Sequence, residues 1–277
     1  MIAAAERYLA EHAPRLAPTY VELGRKGTVA AAWSGATGAR TVRVGAGDLA
    51  DHACDLCRPA LLIVEDQDSD GCFIRSLARV LRADQVLRAL VQGWLEIQHG
   101  GGGSLTKVAK SAVGRYRRQV RVAVLLDSDR LVPGQHTRSH MKADELRTLG
   151  VLVHVLELRE AENYVPNRVL RAIGRPHEAS RKLGLVKRLT PQQRGHFDMK
   201  TGFGPPGGPP VVPSEQAALF GDLEEDVRLG LRGGFGKDLL RRMEDAGGHL
   251  TEQDVAGLGA DVLVELRALL VTIASVI

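Results

Sequence analysis

The chain has 277 residues, 44% of them hydrophobic, and its 37 Lys and Arg against 33 Asp and Glu leave a formal net charge of +4. That composition supports a globular core and excludes a fibrous or disordered chain; no run approaches the roughly 18 apolar residues of a membrane span, and Met1-Ile2-Ala3-Ala4-Ala5-Glu6-Arg7 lacks the charged-then-apolar order of a secretion signal, so a cytoplasmic location is expected. The three cysteines exclude a disulfide framework, and Cys54 and Cys57, even with His52, fall short of the four ligands of structural zinc, so they read as structural thiols.

Residues 1–58 read as an N-terminal extension: a helix over 3–12, a loop, and short strand candidates at 28–33 and 41–44. Leu61-Leu62-Ile63-Val64 then predicts a buried strand, followed at once by Glu65, Asp66, Asp68 and Asp70. Phe73, Leu77, Val80 and Leu81 recur at helical spacing, and residues 85–95 form another run of helical or strand character. Next come His99 and Gly100 to Gly103, where glycines permit close backbone approach, ahead of a basic helix starting near Ser104. A phosphate fits such a loop. No Gly-Lys-Ser/Thr closes it, so it is not a Walker A loop.

Between Gly100 and Arg121 the charged residues are all basic, among them Lys107, Lys110, Arg115, Arg117 and Arg118, a footprint suited to a phosphate backbone. The apolar run 122–126 delivers Asp127 and Asp129, whose alternation in an extended segment turns both carboxylates one way and Ser128 the other. A further apolar run, 151–156, leads to Glu157, Arg159, Glu160, Glu162, Asn163 and Tyr164. Strands alternating with helical stretches predict an α/β fold with a mainly parallel, helix-flanked sheet, and such sheets carry their chemistry just past the strands' carboxyl ends. Crowded carboxylates repel by an amount that a divalent cation offsets, which points to Mg²⁺ or Mn²⁺ on oxygen ligands and to phosphate chemistry.

Beyond Pro166 the chain reads as helical and basic to about Arg194; residues 204–213 form a Pro/Gly linker, and 214–277 a helical tail closing in an apolar helix that packs on its own domain or on a second copy. From Ser214 onward there are 12 acidic and 6 basic residues, leaving 31 basic and 21 acidic before it. The basic part is therefore the part with the carboxylates.

Over residues 59–203 the order of these elements resembles the TOPRIM domain of the overcoming-lysogenization-defect (OLD) endonucleases and related phage-defence effector nucleases: Glu65 with Asp70, then Gly100 to Gly103, then Asp127-Ser128-Asp129, then Glu162-Asn163-Tyr164. The chain departs from that pattern in having Asp66 where glycine is usual and Asp70 one position late. The resemblance implies a stand-alone, divalent-metal-dependent nuclease of DNA or RNA, an effector in an anti-phage or toxin-like system whose sensor or ATPase is a separate chain. It implies Glu65, Asp70, Asp127, Asp129 and Glu162 as ligands of a two-ion site, Glu65 also as proton acceptor, Lys200 as the late lysine that neutralises phosphate charge, and Gly101, Gly102 and the basic stretch as nucleic-acid contacts. Two other readings stand beside it. A two-component receiver would use Glu65 and Asp66 with Asp127 as phosphoacceptor, and a non-catalytic TOPRIM-like subunit would bind nucleic acid without cleaving it.

Overall fold

The computed structural model describes residues 2–22 and 44–277, in two units divided at Gly47 and Asp48. The strand candidates at 28–33 and, but for Val44, at 41–44 lie outside the described residues. In the first unit, helix α1 (Ile2–His12) stacks the Tyr8 and His12 rings 4.3 Å apart.

The second unit opens with α2 (Leu49–Leu56), which leads into β1 (Ala60–Val64). Helices α3 (Gln67–Val80) and α4 (Asp84–Val91) follow, then β2 (Leu95–His99), α5 (Leu105–Val113), β3 (Val122–Leu126), α6 (Arg138–Arg147) and β4 (Leu152–Val155). The four strands form one all-parallel sheet in the order β2-β1-β3-β4. β1 and β3 are central, and every residue in them is buried, which is why they read as unbroken apolar runs rather than alternating ones.

Alternate side chains of these strands feed two cores. Leu61, Ile63, Val122, Val124 and Leu126 pack with Leu105, Ala109 and Ala112 of α5 and Ala143 and Leu146 of α6. Leu62, Val64, Ala123 and Leu125 pack on the other face with Phe73, Ile74 and Leu77 of α3. Helices on both faces leave only the strand ends free for chemistry.

The larger core continues through α7 (Asn167–Arg171), α8 (Pro176–Val186), Leu189 and Phe197 on either side of α9 (Pro191–His196), α10 (Ala217–Phe220), α11 (Glu225–Gly230), α12 (Leu239–Asp245), α13 (Glu252–Ala256) and α14 (Ala260–Ala274). Residues 204–213 run inside this unit, tied by bonds from the Val211 N–H to Phe203 O and from the Gly233 N–H to Gly204 O. Likewise, 214–277 shares a core with the sheet: Leu266, Leu269 and Ile273 of α14 are buried with Leu156 and Tyr164. Among the described residues no helix is long and apolar enough to cross a membrane.

Candidate active site at the carboxyl ends of the strands

In a sheet of order 2-1-3-4 the chain leaves β1 in one direction and β3 in the other, and the crevice between their carboxyl ends is where such folds take ligands. Asp70 and Asp127 flank that crevice. Asp66 caps α3, its side chain accepting the Asp68 N–H at 3.0 Å, and Asp70 in the first turn reaches back to accept the Asp66 N–H at 2.9 Å. Asp127 follows β3 directly and accepts the Ala161 N–H at 3.0 Å, tying it to the 3₁₀ turn Ala161–Tyr164 that carries Glu162.

These carboxylates feel one another. Burial, opposed by the Asp66 N–H and reinforced by the charges of Glu162, Asp66 and Glu65, pushes Asp70 up to about 6. Burial first, then Asp70, Glu162 and Glu160, raise Asp127 well above the usual carboxylate range. Burial and Glu160 raise Glu162 too, against the pull of Lys200. The Lys200 ammonium lies 2.9 Å from Glu160 Oε2 and 3.3 Å from Glu162 Oε1; burial would lower it, but Glu162 and Glu160 outweigh burial and raise it. Lys200 thus stays charged.

Backbone geometry holds Lys200 there. The Gly236 N–H donates to Lys200 O and the Phe235 N–H to Met199 O, and the Gly202 N–H closes a turn on Asp198 O. Gly202 sits at φ +66°, where a Cβ would come within 1.9 Å of Leu231 O and 2.7 Å of the Gly234 nitrogen, so no other residue fits.

The structure gathers Asp70, Asp127, Glu162 and Lys200, and with them Glu160, which the spacing alone did not single out although it lies on the same acidic turn. Asp129 is held by other partners. The extended alternation expected for Asp127-Ser128-Asp129 breaks because Asp129 adopts φ +55°; its N–H donates to Arg159 O and its carboxylate accepts the Ser139 hydroxyl at 3.2 Å. Ser128 is turned aside as expected, its hydroxyl donating to Leu158 O at 2.7 Å. Glu65 is exposed, close enough to act on Asp70 by its charge, and its carbonyl accepts the Gly101 N–H at 3.2 Å.

That last bond brings the glycine loop to the same crevice. A Cβ on Gly100 would lie 2.9 Å from Val64 O and 2.8 Å from Leu105 Cγ, and Gly101 adopts φ +63°. A 3₁₀ turn, Gly102–Ser104, then opens α5 with its amino end and exposed Lys107 near the crevice.

The rest of the basic stretch is at the other end of the sheet. Tyr116 donates its hydroxyl to Pro59 O, just before β1, at 2.7 Å, and the Arg117, Arg118 and Gln119 N–H groups converge on the buried Asp55 carboxylate of α2. Arg117 pairs with Asp51, Arg118 with Asp51 and Asp48, and Lys110 with Glu145 of α6. Among the described residues, exposed Lys107 and Arg115 have no ion-pair partner, but one lies at each end of α5. The single basic footprint expected from 107–118 is therefore divided by the length of a helix.

The donors at the crevice are carboxylate oxygens, the chemistry of a hard divalent cation. Among the described residues, however, no three His, Cys, Asp or Glu side chains stand close enough together to hold one ion, so the cluster is an electrostatic one in which Lys200 supplies the compensating charge. No family model, no curated protein and no solved structure matches this chain.

Proposed function

We propose that the chain is a divalent-metal-dependent nuclease of the TOPRIM type found in OLD endonucleases, acting on DNA or RNA. The observation that carries this reading is the convergence, at the β1/β3 switch point, of Asp70, Asp127 and Glu162 from three separate segments, each raised by burial and by its neighbours' charge. Such mutual repulsion is what a bound cation relieves.

As they stand these side chains are too far apart to hold one ion together, so Mg²⁺ or Mn²⁺ would have to draw Asp70, Asp127 and Glu162 closer, with Glu65 at the rim. When bound, the metal supplies charge neutralisation at the phosphate oxygens and a more acidic water. The chain's own groups do the rest: Lys200 offers positive charge to a phosphate at the crevice, and the backbone N–H groups opening α5 orient its oxygens. Exposed Glu65 stands where it can accept a proton from solvent. The test is cleavage of a mixed DNA and RNA panel with Mg²⁺, with Mn²⁺ and in chelator, by the chain and by Asp127→Asn. Cleavage that depends on metal and drops at least a hundredfold in the variant supports the reading; activity that survives either change sinks it.

The strand order favours one second reading, because acids after the first and third strands of a 2-1-3-4 sheet also suit a receiver domain. A small phosphodonor would then label Asp127 with base-labile phosphate. Labelling without any cleavage would replace the nuclease with that role.

A further inference from the structure

β2 is an edge strand. The Trp94 carbonyl accepts the Ala60 N–H and the Gly100 N–H donates to Val64 O, which fixes the parity of the ladder: Trp94, Glu96 and Gln98 turn their backbone groups toward β1, while Leu95, Ile97 and His99 turn theirs away. Leu95 is buried, but Ile97 is part-exposed and His99 exposed, and among the described residues nothing accepts from or donates to their outward backbone N–H and C=O groups. Sheet edges of this kind are usually covered or blunted. Here the edge instead forms one side of a groove of about 1120 Å³, walled by the start of α3 and by α12.

The groove lies where a fifth strand would run, and it exceeds the roughly 300–1,000 Å³ of a small-molecule site. Its charge selects the occupant. Arg75 is satisfied by Glu244, at 2.6 and 2.9 Å. Of the remaining charged lining residues, Asp66, Asp68, Glu96, Asp238 and Asp245 face only Lys237 and Arg241, and none of these seven has an ion-pair partner among the described residues. An excess of carboxylates repels a polynucleotide and attracts a cationic chain. At the far end Leu90 and Gly93 line the groove beside exposed Val91 and Trp94, which offer an apolar foothold.

We propose that this groove binds an extended, Lys- or Arg-rich segment of a partner protein, which adds to the outer edge of β2 as a fifth strand. The outward N–H and C=O groups of Ile97 and His99 supply the hydrogen bonds, and the carboxylates without an ion-pair partner select for basic side chains. The inference is independent of the nuclease reading, although the groove begins at Asp66 and Asp68, one turn from Asp70, so its occupant reaches the crevice.

The probe is acetyl-(Lys-Val)3-Lys-amide, with acetyl-(Glu-Val)3-Glu-amide and oligo-dT as comparators, read by titration calorimetry and residue-resolved amide exchange on the full chain. The basic peptide is expected to bind and to slow exchange at Ile97 and His99. Glu96→Lys with Asp245→Lys, both exposed positions, weakens it about tenfold or more. Ile97→Pro, which removes an outward N–H and leaves the bonds to β1 in place, weakens it while the far-ultraviolet circular dichroism of the parent is kept, at a Tm lowered by the loss of a side chain packed on the larger core. Equal binding of the acidic peptide, protection of these amides by oligo-dT, peptide binding without protection, or no binding at millimolar peptide each overturns the proposal.

Discussion

Tyr164 and Glu265, 101 residues apart, meet with the phenol oxygen 2.7 Å from each carboxylate oxygen. The same carboxylate accepts the Glu157 N–H at 2.7 Å, and the Tyr164 oxygen accepts the Leu158 N–H at 2.9 Å. Helix α14 thereby holds both ends of the segment that carries Glu160 and Glu162. Tyr164→Phe leaves Glu265 partly buried without its hydroxyl donor, and is expected to cost about 1–3 kcal/mol in denaturant unfolding. If the crevice cleaves nucleic acid, kcat falls with it while the shape of the metal titration is kept.

The repulsion among the crevice acids sets a pH dependence. Asp70 ionises near 3.8 when unfolded and near 6 when folded, so unfolding releases a proton between those values and stability falls as pH rises through them. The penalty is absent below about pH 4 and complete above pH 6. Asp70→Asn in chelator is therefore expected to gain up to about 3 kcal/mol on the parent at pH 7 relative to pH 4. Millimolar Mg²⁺ should raise the parent's Tm at pH 7 and leave it unchanged at pH 4; equal shifts at both pH values would contradict a cation at these carboxylates.

At the opposite end of the sheet the sign reverses. Burial pushes Asp55 up, but the Arg117, Gln119 and Arg118 N–H groups outweigh it and hold the carboxyl below its ordinary range. Its contribution is present above the unfolded value and is lost as pH falls. Asp55→Ala strands three buried donors and is expected to cost about 2–4 kcal/mol at pH 7, with a smaller loss at pH 3, measured by chemical denaturation.

Gly202→Ala forces a Cβ against the Leu231 carbonyl at a backbone angle that side chains avoid. A loss of at least about 3 kcal/mol is expected. Because Lys200 is two residues away, a partly folded variant should also lose cleavage, and a Tm within 2 °C of the parent, roughly 1 kcal/mol at this chain length, would refute the clash.

The buried strands were legible because a strand covered on both faces must be apolar throughout, as residues 61–64 and 122–126 are. β2 was not, since an edge strand leaves Glu96 exposed and Ile97 only partly covered, and its sequence reads on from the α4 pattern. Acids after successive strands located the crevice, yet nothing local in Asp127-Ser128-Asp129 signalled the left-handed backbone that turns the Asp129 carboxylate to Ser139. Glu160 belongs to the same acidic turn and is indistinguishable by sequence from Glu157, which pairs with Arg130. The placement of Lys200 depends on Leu231 to Gly236, contacts too distant in sequence for any motif to reveal. Periodicity likewise could not say that residues 107 and 117 lie at opposite ends of α5.

That separation constrains any polyanion that uses both ends of the molecule. Five-residue strands span about 16 Å, or roughly half a turn of duplex, between the Arg115 to Arg118 base and the crevice. If the proposed nuclease activity holds, a phosphate chain held at Arg115 would arrive at the carboxylates only after climbing the flank of α5, so the spacing between hold and cut would be set by the protein, like a ruler, rather than by base sequence.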